Sequence, residues 1–263
     1  MPRYSGDIAN AAGSALIVLD AVLPLRANWS IHDAAAGANA KVYKCAGDVT
    51  FYVWVGDNQT NYFSVRVWAA WDAALHTGSG SQTAAVTFCK YYPTYTIHIN
   101  GNRFVFINFT TTLCYGCYCG LIKRADITKN LVLVYGGASA TYYKTYNALA
   151  GFDDSTYIKL RLMEDASGTA DVAAHPMGRG ASELNHYIQD LDGRVRLQET
   201  AIHYPTASPL FHAGRLDGVV CLMQTFVGMP YYCSDIITVD GMDWYSYSMG
   251  TSQASRFLVS LED

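Results

Sequence analysis

The sequence predicts a mainly β (α+β) fold, an antiparallel β-sandwich or meander with one amphipathic helix near its N-terminal end. Three observations carry this. Asn100-Gly101 separates the alternating run at residues 96–99 from the β-rich run at 103–107, and that dipeptide suits the positive φ angles of a tight hairpin turn. Runs of Val, Ile, Tyr, Phe and Trp recur along the chain, bounded by Gly, Asn and Asp. One stretch, residues 5–25, repeats its apolar residues at helical spacing.

Taken in order, Ile8, Ala11, Ala12, Ala15, Leu16, Leu19, Val22 and Leu23 fall on one helical face. Ser5 or Asp7 is placed to cap its start and Pro24 its end. Trp29 then opens an irregular stretch, and residues 34–40 read as an Ala/Gly-rich connector. Three strands follow at 41–45, 50–55 and 62–68. In the third, Phe63, Val65 and Val67 alternate with Ser64 and Arg66, so one face is dry and the other wet. Residues 68–72 continue it toward 77–82, a polar Gly/Ser segment expected as a flexible loop.

Residues 95–137 form the central meander, with the hairpin above and further strands at 115–122 and 131–135. Residues 142–157 are mixed, with room for a short irregular helix, and 156–163 alternate as a strand. Residues 164–182 carry little patterning and read as a long loop or a boundary. Beyond it, Asp192-Gly193 and Asp240-Gly241 mark hairpin turns, Asp217-Gly218 precedes the apolar run at 219–222, and residues 256–261 make a last strand. The organisation expected is a helix plus antiparallel β domain at 1–165 and a C-terminal β-hairpin lobe at 166–263, with one sheet shared between them as the open alternative.

Hydrophobic residues make up 51% of the 263 and charged residues 15%, which is low against the usual value of about 25%. So little charge suggests a surface partly covered by a partner. The 20 tyrosines fit interface use and strand preference equally. A net charge of −4 with no basic run longer than two residues argues against nucleic-acid binding. The apolar stretch at 15–25 is broken by Asp20 and Pro24, too short to span a bilayer and without the features of a signal peptide, so no membrane association is expected. The seven cysteines, an odd set without secretory context, read by default as buried thiols.

Cys114-x-x-Cys117-x-Cys119 is the one constellation with the look of chemistry. Zinc or an iron–sulfur cluster would need a further soft ligand at suitable spacing, and none lies nearby in sequence, so packed thiols are the expectation. A Cys221–Cys233 bond is left open. His32, His76, His98, His175, His186, His203 and His212 are scattered singly, and Gly78-Ser79-Gly80 lacks the strand-then-helix setting of a nucleophile. Neither nucleotide-binding glycine motif occurs. Asp153-Asp154 and Glu164-Asp165 read as solvated turn residues, and the Asn58 and Asn108 sequons carry no weight without secretion. This reading assigns no catalytic, cofactor-binding or metal-ligating residue.

The order of a helix, a Trp, a Tyr-Lys strand, then Tyr95-x-Ile97-x-Ile99-Asn100-Gly101-Asn102-Arg103-Phe104, Tyr118-x-Gly120-Leu121, Arg124-Ala125-Asp126, Val134-Tyr135-Gly136-Gly137, Gly214-Arg215-Leu216-Asp217-Gly218-Val219 and Asp235-Ile236-Ile237-Thr238-Val239-Asp240-Gly241 resembles virion structural proteins of tailed bacteriophages. The likeness runs from about residue 29 onward and departs from the pattern at Cys114 to Cys119 and at Asp240-Gly241, where a Gly pair is usual. The resemblance implies a non-enzymatic particle component of the tail, neck or baseplate, assembled in the host cytoplasm, with other virion proteins and a symmetric homo-oligomer as its partners. A head-decoration or neck protein is one alternative. Another is a carbohydrate-binding or glycan-cleaving tail protein, with Trp54, Trp68, Trp71 or Trp244 stacking on sugar rings.

Overall fold

A computed structural model describes residues 2–83, 85–110, 114–125, 131–136, 160–164, 168–176, 197–204, 211–222, 235–239, 241–248 and 256–260. The fold is mainly antiparallel β with one short helix near the N-terminus. Its elements are β1 (Arg3–Asp7), α1 (Ser14–Val22), β2 (Trp29–Gly37), β3 (Ala40–Ala46), β4 (Thr50–Gly56), β5 (Tyr62–Asp72), β6 (Thr77–Gln82), β7 (Val86–Cys89), β8 (Thr94–Ile99), β9 (Arg103–Phe109), β10 (Cys114–Leu121), β11 (Lys123–Arg124), β12 (Val132–Gly136), β13 (Leu160–Glu164), β14 (Gly168–Pro176), β15 (Leu197–Tyr204), β16 (Phe211–Leu222), β17 (Asp235–Val239), β18 (Met242–Ser248) and β19 (Arg256–Ser260). Among the described residues no helix is long and apolar enough to cross a membrane.

Two sheets result. The smaller has the order β2-β3-β4-β5-β6, with β7 also paired to β5. The larger runs β1-β8-β9-β10-β12-β13-β14-β15-β16-β19-β18-β17, with β11 paired to β16. Within it the ladder passes directly from β13 to β14, Glu164 standing opposite Gly168.

The core lies where the two sheets face each other. Ile97, Ile99, Phe104, Phe106, Cys117, Cys119, Val132 and Val134 from the large sheet meet Phe51, Val53, Val55, Phe63, Val65 and Val67 from the small one, and α1 adds Ala15, Leu16, Val18, Leu19 and Val22 to the same cluster. Phe63 packs edge-on against Phe88 and Phe106, and Trp29 against Phe51 and Phe104. Each such side chain, once buried, contributes about 1.5–3 kcal/mol.

The second face of β8 and β9 is covered as well, because the large sheet folds its later strands back over its earlier ones. His98 on β8 shares a 2.6 Å hydrogen bond with the Tyr247 hydroxyl on β18, and Arg103 Nε on β9 donates to Asp217 Oδ2 on β16 at 2.9 Å. Every residue of β9 and β10 is accordingly buried, which explains their nearly unbroken apolar and small-residue runs.

Several expectations are corrected. The helix begins at Ser14, not Ser5, because residues 3–7 pair with β8 as a strand instead. No side chain caps it locally; the Ala15 amide donates to Asp57 Oδ2 at 2.8 Å, and the buried Lys90 is paired with Asp57 and with Ala11 O. The connector at 34–40 and the loop at 77–82 largely belong to β2 and β6, and β14 occupies part of the stretch read as a boundary. In each case a neighbouring ladder imposes the strand on a sequence of low intrinsic preference.

The hairpin at 96–107 is present, for a different reason than the one expected. Its closing bond runs from the Asn100 amide to Arg103 O at 3.0 Å, and Asn100 Oδ1 accepts from the amides of Asn102 and Arg103. Gly101 does not use a positive φ; a Cβ there would lie 2.6 Å from Asn28 Nδ2. Asp217-Gly218 sits inside β16 at a bulge. Arg215 opposes Ala201 and Val220 opposes Glu199, so residues 216–219 stand against Thr200 alone, with Gly218 at φ 62°. The expectations for residues 142–157 and for the Asp192-Gly193 turn lie outside the described residues.

Candidate binding groove

The register of β4 against β5 sets the site. Tyr52 opposes Trp68, Trp54 opposes Arg66 and Gly56 opposes Ser64. Since Phe51, Val53, Val55, Phe63, Val65 and Val67 all point into the core, Tyr52, Trp54, Ser64, Arg66 and Trp68 are left on the outer face. The wet face expected from the sequence is therefore largely aromatic.

Beyond Trp68 the β5–β6 ladder is irregular. Trp68 opposes Gln82 and Ala70 opposes Ser79, so Gly80 and Ser81 stand against Ala69, with Gly80 at φ 75°. A bulge of this kind adds twist. Trp68 and Trp71, which would alternate faces on a regular strand, meet edge to face at 6.1 Å. They line one groove of about 440 Å³ together with Trp54, Ser64, Arg66, His76, Thr77, Gly78 and Ala85. That volume is within the range of small-ligand pockets.

Gly78 is glycine for a steric reason: a Cβ there would stand 2.2 Å from the Trp68 ring. Gly56 bears the same relation to Trp54. The middle of the Trp68 indole thus sits on backbone, while Trp54 meets backbone with the edge of its six-membered ring.

Asp33 holds the groove from below. Its strand β2 is irregular here, Ile31 opposing Tyr43 and Asp33 opposing Val42, and the Asp33 side chain is 3% exposed. Asp33 Oδ2 accepts from Trp71 Nε1 at 2.9 Å and pairs with His76 Nδ1 at 2.8 Å, while Oδ1 accepts from the Ala35 amide at 2.9 Å. Burial alone would push this carboxyl up, but the hydrogen bonds from His76, Trp71 and Ala35 outweigh it and hold it below the ordinary range. His76 closes the β5–β6 turn at φ 53°, a backbone state uncommon outside glycine.

Arg66 is the cation of the lining. Its guanidinium lies 5.7 Å from the Trp68 ring centre, its Nη1 donates to Gln82 Oε1 at a long 3.5 Å, and its buried Nε has no partner.

The other sequence candidates fall elsewhere. Cys114, Cys117 and Cys119 are buried on β10; burial pushes the Cys119 thiol well up, and those of Cys45 and Cys89 to about 12, so these last three are poor nucleophiles. Among the described residues no group of three or more His, Cys, Asp or Glu is placed to hold a metal. Trp244 is buried at 6% exposure and is not available to stack on a ligand. Asn108 is buried, accepting from the Tyr92 amide and donating to Tyr92 O and Thr94 O. His32 packs beside Tyr52 at 4.8 Å and His98 is in the core. The side chains of His175, His186, His203, His212, Cys221, Cys233, Asp153, Asp154, Glu164 and Asp165 lie outside the described residues.

Sequence reading named the three groove tryptophans but missed Asp33 and the roles of Arg66 and His76. Asp33 and His76 are 43 residues apart, so only the curl of the sheet brings them together. No family model and no curated protein matches this chain.

Proposed function

We propose that this chain is a non-enzymatic structural subunit of a tailed-bacteriophage virion, in the tail or baseplate, that works by fitting against other virion proteins in a symmetric homo-oligomer. One observation supports this reading above the rest. Two ion pairs, Lys90–Asp57 and Arg103–Asp217, are drawn into the molecule, while Ile17, Leu25, Leu75 and Ile236 are 72%, 60%, 69% and 55% exposed. In a chain with only 15% charged residues, such side chains are suited to burial against neighbours. Immuno-electron microscopy of intact particles tests it, and labelling of the tail tip separates this placement from a neck or head-decoration role. Particles that carry no label after disruption to expose internal epitopes would refute it.

A second reading, carbohydrate recognition, is favoured by the convergence of Trp54, Trp68 and Trp71 on one groove. Recognition fits better than cleavage. Glycoside hydrolysis uses a pair of carboxylates, and the described lining residues include none. Asp33 beneath them is committed to three donors.

A further inference from the structure

We infer that the groove binds an acidic sugar, a pyranose bearing a carboxylate, as a unit of a polysaccharide. The inference rests on the carbohydrate reading and is independent of placement in a virion. Three features of the groove converge on this ligand.

The first is the presentation of the indoles. Trp68 packs the middle of its indole on the Gly78 backbone, Trp54 packs its six-membered edge on Gly56, and Trp71 is fixed through its Nε1 bond to Asp33. A pyranose has one face of C–H bonds, apolar and weakly positive, which complements the negative face of an aromatic ring. Rings that cannot rotate away lose little freedom on binding such a face.

The second is charge. Among the described residues Arg66 has no carboxylate partner, and its Nη1 makes only a long contact to Gln82; its Nε is buried, so the outer guanidinium nitrogens are the pair left for a ligand. A carboxylate is the group that matches that pair. The described lining residues add no negative charge of their own, and the one carboxylate against them, Asp33, is taken up by Trp71, His76 and the Ala35 amide.

The third is the clasp itself. His76, in the lining of the groove, has φ 53° and bonds to the buried Asp33. Backbone in such a state is retained where the surrounding structure specifies it, and ligand sites are where such states gather. Ser64 and Thr77 supply hydroxyls for the sugar's own hydroxyl groups.

The test is calorimetric and Trp-fluorescence titration of the full chain with an oligogalacturonate, with a sialic-acid oligomer, and with each oligomer after reduction of its carboxyl groups. At least one acidic oligomer should bind about tenfold or more tightly than its reduced form. Arg66→Gln should bring the acidic oligomer down to the reduced one, and Trp68→Ala should abolish both. Lys44→Gln, a cation on the same sheet face outside the groove, should change nothing; an equal loss there would mean non-specific attraction and overturn the inference. Denaturation midpoints matching the wild type establish that the variants are folded. Equal binding of acidic and reduced oligomers, unaffected by Arg66→Gln, would overturn the acidic-sugar assignment and leave the carbohydrate reading standing. Binding of no oligomer would overturn both, and loss of particle incorporation in Trp68→Ala alongside that result would identify the groove as a protein contact.

Discussion

Asp33 on β2 and His76 at the β5–β6 turn share a 2.8 Å hydrogen bond across the outer face of the small sheet, although β3 and β4 separate their strands in the pairing order. The sheet is thereby curled and clasped, with the aromatic groove beside the clasp and His76 in its lining. Replacing Asp33 by Ala leaves the half-buried Trp71 Nε1 without its acceptor, at a cost of about 1 kcal/mol. Urea denaturation should record that loss, and tryptophan emission should shift to the red as Trp71 becomes solvated. Because the Asp33 carboxyl is held below its ordinary value of 3.8, its contribution is complete above that pH and is lost as pH falls through the lower folded value.

The bulge in β16 has a comparable purpose. It delivers Asp217 to Arg103, whose side chain is 2% exposed, and Lys123 Nζ adds a second contact to Asp217 at 3.3 Å. Substituting Asp217→Asn removes the charge that the buried Arg103 guanidinium pairs with on β16 and should destabilise by about 3 kcal/mol. Chemical denaturation followed by tyrosine and tryptophan fluorescence measures it. Burial raises the Asp217 carboxyl, but Arg103 and Lys123 more than offset that and leave it lowered, so this contribution too disappears only in acid below about 3.8.

His98 responds in a different pH window. Burial, with Arg3 and Arg103 nearby, keeps its imidazole well below the ordinary 6.5. The folded protein therefore holds His98 neutral while the unfolded chain takes up a proton, and stability falls as pH drops from about 6.5 toward the folded value. His98→Gln should flatten the stability profile between about pH 6.5 and 4.5 while leaving the acid limb set by the carboxylates. Denaturation midpoints collected across that range decide it.

Lys90 and Asp57, both fully buried, join the end of the small sheet to the start of α1. Lys90→Met should cost about 3–5 kcal/mol, since it strands the Asp57 charge. Adding Asp57→Leu should recover most of that, short of about 1 kcal/mol for the lost cap on the Ala15 amide. The double variant's midpoint, compared with the single's, is the measurement.

The alternation of Phe63, Val65 and Val67 with Ser64 and Arg66 made β5 legible from sequence, because a half-buried strand writes its burial into a period of two. The helix was legible in kind but not in extent: Ile8, Ala11 and Ala12 continue its spacing by coincidence, and Ile8 is instead buried after the end of β1. β2 and β6 were not legible, since WSIHDAAAG and TGSGSQ carry few strand-forming side chains. Their small residues are there for packing, as Gly78 under Trp68 shows. The groove was half legible. Tryptophans announce themselves, but their convergence depends on a bulge at Gly80 and an acceptor 38 residues before Trp71, and neither leaves a local pattern.

The assembly proposal is tested most directly by quantitative peptide mass spectrometry of gradient-purified, salt-washed particles. The expected result is this chain at a fixed copy number per particle that is a multiple of one ring's symmetry. Its absence from washed particles, together with a purified monomer that turns over a substrate, would contradict the reading.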